Sequence, residues 1–122
     1  MMITTKGRNA LKVMIDLAQH EGEGYVSLTD IAERQKESLK YLETSAAQLS
    51  SAGLVLSARG KSGGYKLAKP ASEYRVSDIL LTGEGSLAPV SCLISGCENS
   101  GTCMTLPLFK ELDEVIMNLK TL

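Results

Sequence analysis

Apolar residues recur at three- and four-residue spacing from about Arg8 to His20. Leu11, Met14, Leu17 and Ala18 trace one helical face, and Ala10, Val13 and Ile15 widen it. Glu21-Gly22-Glu23-Gly24 ends that helix, since glycine accepts the conformations a helix exit needs. A second, short helix is expected from Ser27, where Ser27-Leu28-Thr29-Asp30 has capping-box character and Leu28, Ile31 and Ala32 supply the buried side. Gln35-Lys36-Glu37 makes a short break. Ser38 is then a good N-cap for a third helix, with Leu39, Leu42, Ala46 and Leu49 inward and Gly53 as its stop.

After the third helix the period changes. Leu54-Val55-Leu56-Ser57 reads as a strand, Arg59-Gly60-Lys61-Ser62-Gly63-Gly64 as a glycine-rich turn, and Tyr65-Lys66-Leu67-Ala68 as the return strand. Pro70-Ala71-Ser72 closes this hairpin. A short helix over Val76–Leu81 leads into Thr82-Gly83-Glu84-Gly85, expected as a turn. From Pro107 to Leu119 a last helix carries Leu108, Phe109, Leu112, Val115, Ile116 and Leu119 on one stripe. The fold class is therefore mainly α with one small β-hairpin, a winged helix-turn-helix plus a C-terminal dimerisation helix. Residues 1–82 form the expected DNA-binding domain, 83–105 a cysteine-bearing sensor loop, and 106–122 the dimerisation helix. An apolar stripe that long suits a second subunit. A two-fold pair would set two recognition helices about one DNA turn (~34 Å) apart, matching a palindromic operator.

Charge changes the picture only locally. Thirteen Lys and Arg against fourteen Asp and Glu give a net charge of −1 over 122 residues, which looks wrong for a nucleic-acid binder until it is mapped along the chain. From Ser57 to Lys69, however, Arg59, Lys61, Lys66 and Lys69 face no acid in sequence. Screening makes such a focused segment count for more than the total. No apolar run approaches the ~18–20 residues of a membrane helix, and the N-terminus has no signal-peptide pattern, so the expectation is a soluble cytoplasmic protein without a membrane partner. One histidine, no Ser/His/Asp set and no Walker lysine in Gly60–Gly64 argue against an enzyme.

On the third helix, the face opposite Leu42 carries Ser38, Lys40, Tyr41, Glu43, Thr44, Ala47 and Gln48. Residues near the start of such a helix lie closest to base edges. Lys40 suits a guanine edge or a phosphate, Thr44 a thymine methyl or phosphate, and Ser38 and Tyr41 backbone oxygens of double-stranded DNA. In the wing, Arg59 suits a narrow minor groove, Lys61 and Ser62 suit phosphates, and Gly63-Gly64 would let backbone approach the duplex.

Cys92, Cys97 and Cys103 are spaced C-x4-C-x5-C, with Gly96, Ser100 and Gly101 in the spacers. Three soft thiolates in twelve residues suit an iron–sulfur cluster, and less well zinc, which usually takes tighter pairs. Three unrelated thiols, or thiol redox sensing without metal, are the plainer alternatives.

Thr5-Lys6-Gly7-Arg8, Ser27-Leu28-Thr29-Asp30-Ile31-Ala32-Glu33-Arg34-Gln35, Ser38-Leu39-Lys40-Tyr41-Leu42-Glu43, Gly53-Leu54-Val55, Arg59-Gly60 and Gly63-Gly64-Tyr65-Lys66-Leu67 resemble the Rrf-two family of regulators, the IscR/NsrR/CymR group. The resemblance runs over essentially the whole chain. It implies a dimeric bacterial winged-helix transcription regulator, many of whose relatives carry a 2Fe–2S or 4Fe–4S cluster on three cysteines at the places of Cys92, Cys97 and Cys103. Other members lack the cysteines and answer to partner proteins or thiol status. The chain departs from the family at the fourth ligand. The histidine of one branch is replaced here by Leu106, and the carboxylate of another by Arg8. The first cysteine gap is also one residue shorter than usual. Glu98, Asn99, an external thiol or water, or a partner side chain would then complete the cluster.

These observations together predict a homodimeric DNA-binding regulator whose operator affinity is set by an iron–sulfur cluster or by redox state at the three cysteines. A cluster-free regulator governed by thiol oxidation or a partner protein is the alternative within the class. A metal-binding protein-interaction adaptor is the alternative outside it.

Overall fold

Thr4 opens the first helix from an extended backbone, its hydroxyl accepting the Lys6 N–H at 3.3 Å. A computed structural model describes residues 3–85 and 104–118. The helix, α1 (Thr5–Gln19), is followed by α2 (Leu28–Gln35), α3 (Leu39–Ser51), strands β1 (Val55–Ala58) and β2 (Gly64–Leu67), a 3-10 turn over Ala71–Glu73, α4 (Val76–Glu84) and α5 (Leu106–Met117). Three helices and a two-stranded hairpin in this order make a winged helix.

α1 buries Ala10, Val13, Met14 and Leu17 against Ile31 and Ala32 of α2, Leu42 and Leu49 of α3, Val55 of β1 and Ile79 of α4. Ile15, expected on this face, is 42% exposed. It stands roughly opposite the Ala10–Val13–Leu17 row, so widening the stripe carries it past the core edge. Leu39 is likewise outside, at 39% exposure, because it occupies the first position of α3 before the helix reaches the core. Ser45 is buried instead, completing the row of Leu42, Ala46 and Leu49.

The break between α2 and α3 is closed by Lys36 at φ 54°, whose N–H reaches back toward Glu33. Gly53 ends α3 at φ +77°. β1 and β2 pair antiparallel, Val55 opposite Leu67 and Ala58 opposite Gly64, one residue displaced from the strands expected.

The expected turn at Thr82-Gly83-Glu84-Gly85 is helix through Glu84, with Gly85 as the cap residue. Packing is the reason. A Cβ on Gly83 would lie 2.9 Å from the Cα and N of Gly7 and the carbonyl oxygen of Lys6. The glycine lets α4 cross α1 with backbone nearly on backbone, and so serves closeness rather than a bend. α5 rests on α4 with a hydrogen bond from the buried Ser77 hydroxyl to the carbonyl of Met117, 2.8 Å, and its first residue, Leu106, is buried. Its Leu108, Leu112 and Val115, one stripe at helical spacing, are exposed by 67, 41 and 64%. Among the described residues no helix is long and apolar enough to cross a membrane.

Candidate nucleic-acid interface

The first helix of the helix-turn-helix is fixed by a buried acid. Asp16 of α1 accepts both the Nε and the Nη2 of Arg34, at 3.0 and 2.7 Å, and the amide of Gln35 at 3.1 Å. Burial alone would push the Asp16 carboxyl up. The hydrogen bonds from Arg34 and Gln35, with the charges of Arg34 and His20, overcome it and hold the group below its ordinary value. A charged acid here satisfies two side chains of α2 at once, so α2 is aligned on α1. Lys12 pairs with Glu37 just beyond α2, tying down the turn that leads to α3.

α3 presents what remains after its inner row is used. Lys40, Tyr41, Glu43, Thr44 and Ala47 are exposed along one side, with Ser38 exposed before them. Ser38 has the extended backbone of an N-cap residue but makes no side-chain capping bond, which leaves its hydroxyl for another partner. Thr44 makes only a long, 3.5 Å bond to the Lys40 carbonyl. Tyr41, 61% exposed, is a large half-apolar surface with no core role.

The wing is built more firmly than its sequence suggests. Tyr74, buried beneath it, donates its hydroxyl to the Leu54 carbonyl at 2.6 Å and accepts the N–H groups of Ala68 and Lys69 at 2.9 and 3.2 Å. Both feet of the hairpin therefore end on one phenol. Val26 and Tyr65 exchange two 2.8 Å backbone bonds, so the link between α1 and α2 adds a third, one-bridge strand to the hairpin. This explains Gly64: a Cβ there would fall 2.1 Å from the Val26 carbonyl oxygen. At Gly63 a Cβ would meet the Ala58 carbonyl oxygen at 2.3 Å. The space these glycines leave is taken up by the protein's own backbone.

Of the four basic residues in the hairpin segment, two are seated on aromatic rings. The Lys66 ammonium stands 4.7 Å from the Tyr25 ring centre and that of Lys69 5.0 Å from Tyr74. Arg59, Lys61 and Ser62 are left exposed at the tip, with no ion pair among the described residues. The structure thus puts Ser38, Lys40, Tyr41 and Thr44 on the surface and brings the exposed Arg59, Lys61 and Ser62 into one turn, whereas Gly63 and Gly64, expected to let backbone approach the duplex, serve packing within the protein. Sequence reasoning missed Tyr74, whose signal was an aromatic four residues after Pro70 in a chain with four tyrosines, and the pairing of Tyr65 with Val26.

Cys92, Cys97 and Cys103 lie outside the described residues. Among the described residues no three His, Cys, Asp or Glu side chains converge as a metal site. Leu106, at the place of the histidine of one family branch, is buried at the start of α5, and Arg8 is exposed.

A family model described as Rrf2, iron-dependent transcriptional regulator, matches residues 3–119. The chain belongs to the Rrf2 family. The HTH-type transcriptional regulator IscR of Serratia proteamaculans is 43% identical over 117 residues, covering 95% of this chain and 71% of that protein. Among solved structures, CymR of B. subtilis, described as the global cysteine regulator, superposes with a TM-score of 0.80 at 36% identity, over 98% of this chain and 92% of its own. IscR of T. potens superposes with a TM-score of 0.72 at 41% identity, over 98 and 82%. Like these Rrf2 relatives, the protein is a winged-helix, DNA-binding transcriptional regulator and not an enzyme.

Proposed function

We propose that this Rrf2 regulator works as a homodimer on a palindromic operator, with an affinity set by an iron–sulfur cluster or by thiol oxidation at Cys92, Cys97 and Cys103. The observation that carries the DNA half is the division of side chains. Lys40, Tyr41, Glu43 and Thr44 of α3, and Ser38 before it, are exposed, while the wing's free charge is concentrated at Arg59 and Lys61. Ser38, Lys40, Tyr41 and Thr44 then read the major groove and its flanking phosphates, and Arg59, Lys61 and Ser62 hold the adjacent backbone or minor groove. The functional division follows the chain: residues 1–82 bind DNA, 83–105 carry the sensing cysteines, and 106–122 pair the subunits through Leu108, Leu112 and Val115.

Three thiolates are the soft donors a cluster takes, and a bound cluster supplies a redox- and nitric-oxide-sensitive centre. Leu106 has no ligating atom and is committed to packing, so the fourth ligand comes from elsewhere. That same observation favours a second reading, in which the thiols act without a cluster and their oxidation is the signal. An anaerobic visible spectrum of freshly purified protein, with iron and acid-labile sulfide measured on the same sample, separates the two. Charge-transfer bands with about three thiolates per cluster support the metallosensor. Colourless protein that cannot be reconstituted removes the cluster and leaves thiol chemistry. Titration onto its own promoter region tests the DNA half independently, and equal affinity for random sequence would defeat it.

A further inference from the structure

The start of α1 and the recognition helix meet on the outside of the domain. Thr5 and Lys6, in the first turn of α1, share one open groove with Tyr41 and Thr44 of α3, above the buried Asn9 and Ser45. Tyr41 and Thr44 belong to the face read above as entering the major groove, so Lys6 stands at the rim of that face. The lysine is exposed and makes no ion pair within 4.0 Å among the described residues. No Asp or Glu lines the groove. Glu84 feels the charge of Lys6, but its carboxylate is engaged by the N–H groups of Thr4 and Gly7 and by the Thr4 hydroxyl. Those bonds already satisfy the positive end of α1, so an anion arriving here is held by the Lys6 ammonium and not by the helix terminus.

The place of Lys6 along α1 decides which part of a duplex it meets. The C-terminal end of α1 rests at the root of the wing, where Leu17 and His20 line a cavity together with Lys66 and Lys69. Lys6 lies at the other end. From Lys6 to Leu17 the helix rises about 16 Å, at ~1.5 Å per residue. The major groove is about 12 Å wide, so a helix seated in it has a phosphate strand on either side at a comparable separation. The exposed Arg59 and Lys61 of the wing offer cations to one strand. Lys6 offers one to the other.

We propose that Lys6 binds a DNA phosphate across the major groove from the strand held by the wing, so that the recognition helix is braced on both flanks. The contact carries no sequence information, because an ammonium meets every phosphate alike. It fixes the depth and tilt at which α3 enters, and leaves the choice of operator to α3. The inference rests on the reading of α3 and the wing as the DNA-facing surface.

The test is a salt titration of the full chain on its own promoter region and on random duplex DNA. Lys6→Gln is expected to weaken binding to both by about three- to tenfold at roughly 0.15 M salt, and to flatten the dependence of log K on log salt by ~1. Lys6→Arg should restore both quantities, and circular dichroism checks that each variant is folded, as expected for an exposed side chain. An unchanged slope in folded Lys6→Gln overturns the proposal. Methylphosphonate linkages, which remove the charge of one phosphate at a time from the promoter segment the protein protects, then locate the contact. One such linkage should weaken wild type and Lys61→Ala but not Lys6→Gln, and it should lie on the strand opposite the one to which Lys61→Ala loses sensitivity. Both losses on one strand overturn the bracing across the groove. Slopes unchanged in Arg59→Ala and Lys61→Ala would defeat the reading of the DNA-facing surface, whereas changes there and none in Lys6→Gln defeat this inference alone.

Discussion

The Glu84 carboxylate, at the last position of α4, closes the N-terminus of α1 by accepting the backbone N–H of Thr4 at 2.7 Å and its hydroxyl at 2.7 and 2.9 Å. The Gly7 N–H joins it at 2.9 Å. One acid from a distant helix thus does the work that a local capping residue usually does, and its negative charge sits at the positive end of the α1 dipole. Burial raises the Glu84 carboxyl, but the hydrogen bonds from Thr4 and Gly7 and the charge of Lys6 bring it below its ordinary value.

Glu84→Gln should destabilise the protein by about 1 kcal/mol, a figure kept low because the site is partly open to water. Urea denaturation at pH 7 checks it. Since the folded group is more acidic than the unfolded one, the advantage over Gln is fully present above the ordinary glutamate value, about 4.3. It should fade as the pH falls through the lower folded value.

Asp16→Asn removes the charge that holds Arg34 and Gln35. The expected loss is about 2–4 kcal/mol, short of the full range for buried pairs because Arg34 keeps contact with solvent. Here too the folded carboxyl is the more acidic, so the gap between wild type and variant should shrink below about pH 4. Denaturation midpoints at pH 7 and pH 3 measure it. A constant gap would mean that Asp16 acts by shape alone.

Gly83→Ala reverses a familiar expectation. In an open helix the change gains up to ~1 kcal/mol from propensity. Here the new methyl meets α1 backbone at 2.9 Å, and backbone cannot swing away as a flexible side chain can. The variant should lose stability, and a raised melting temperature would show that α1 and α4 separate easily.

Tyr74→Phe keeps the ring in the core and deletes one hydroxyl with three backbone partners. A cost of about 2 kcal/mol is expected, together with weaker DNA binding through a loosened wing. Hydrogen exchange at Ala68 and Lys69 should rise more than at Met14, which lies in the helical core. Equal rises would indicate global destabilisation only.

Lys61→Ala should weaken binding to all DNA sequences and flatten the dependence of log K on log salt by ~1 per lost phosphate contact. Lys40→Ala or Thr44→Ala should instead change which operator is preferred. Equal losses on operator and random DNA would remove these residues from base readout.

What the chain made readable in advance was local. Helix periodicity, the Ser27 cap and the glycine-rich turn each depend on residues a few positions apart, and α1 to α3 and the hairpin follow from them. What stayed hidden depends on distant partners. Gly83 reads as a turn because its reason is Gly7, and Glu84 as an ordinary surface acid because its reason is Thr4. At the site, the exposed face of α3 and the wing tip were legible by subtraction from the core. The seating of Lys66 and Lys69 on tyrosines was not, since those rings come from outside the hairpin strands.

The bond from Ser77 to the Met117 carbonyl ties the far end of α5 to the start of α4, while the buried Leu106 anchors its near end. Twelve residues of helix, about 18 Å, are therefore clamped at both ends, and the stripe of Leu108, Leu112 and Val115 faces outward at a set angle. In a dimer of the proposed kind that angle would set the gauge between the two reading heads, and losing the Ser77 hydroxyl should relax the choice of half-site spacing before it harms the grip on either half.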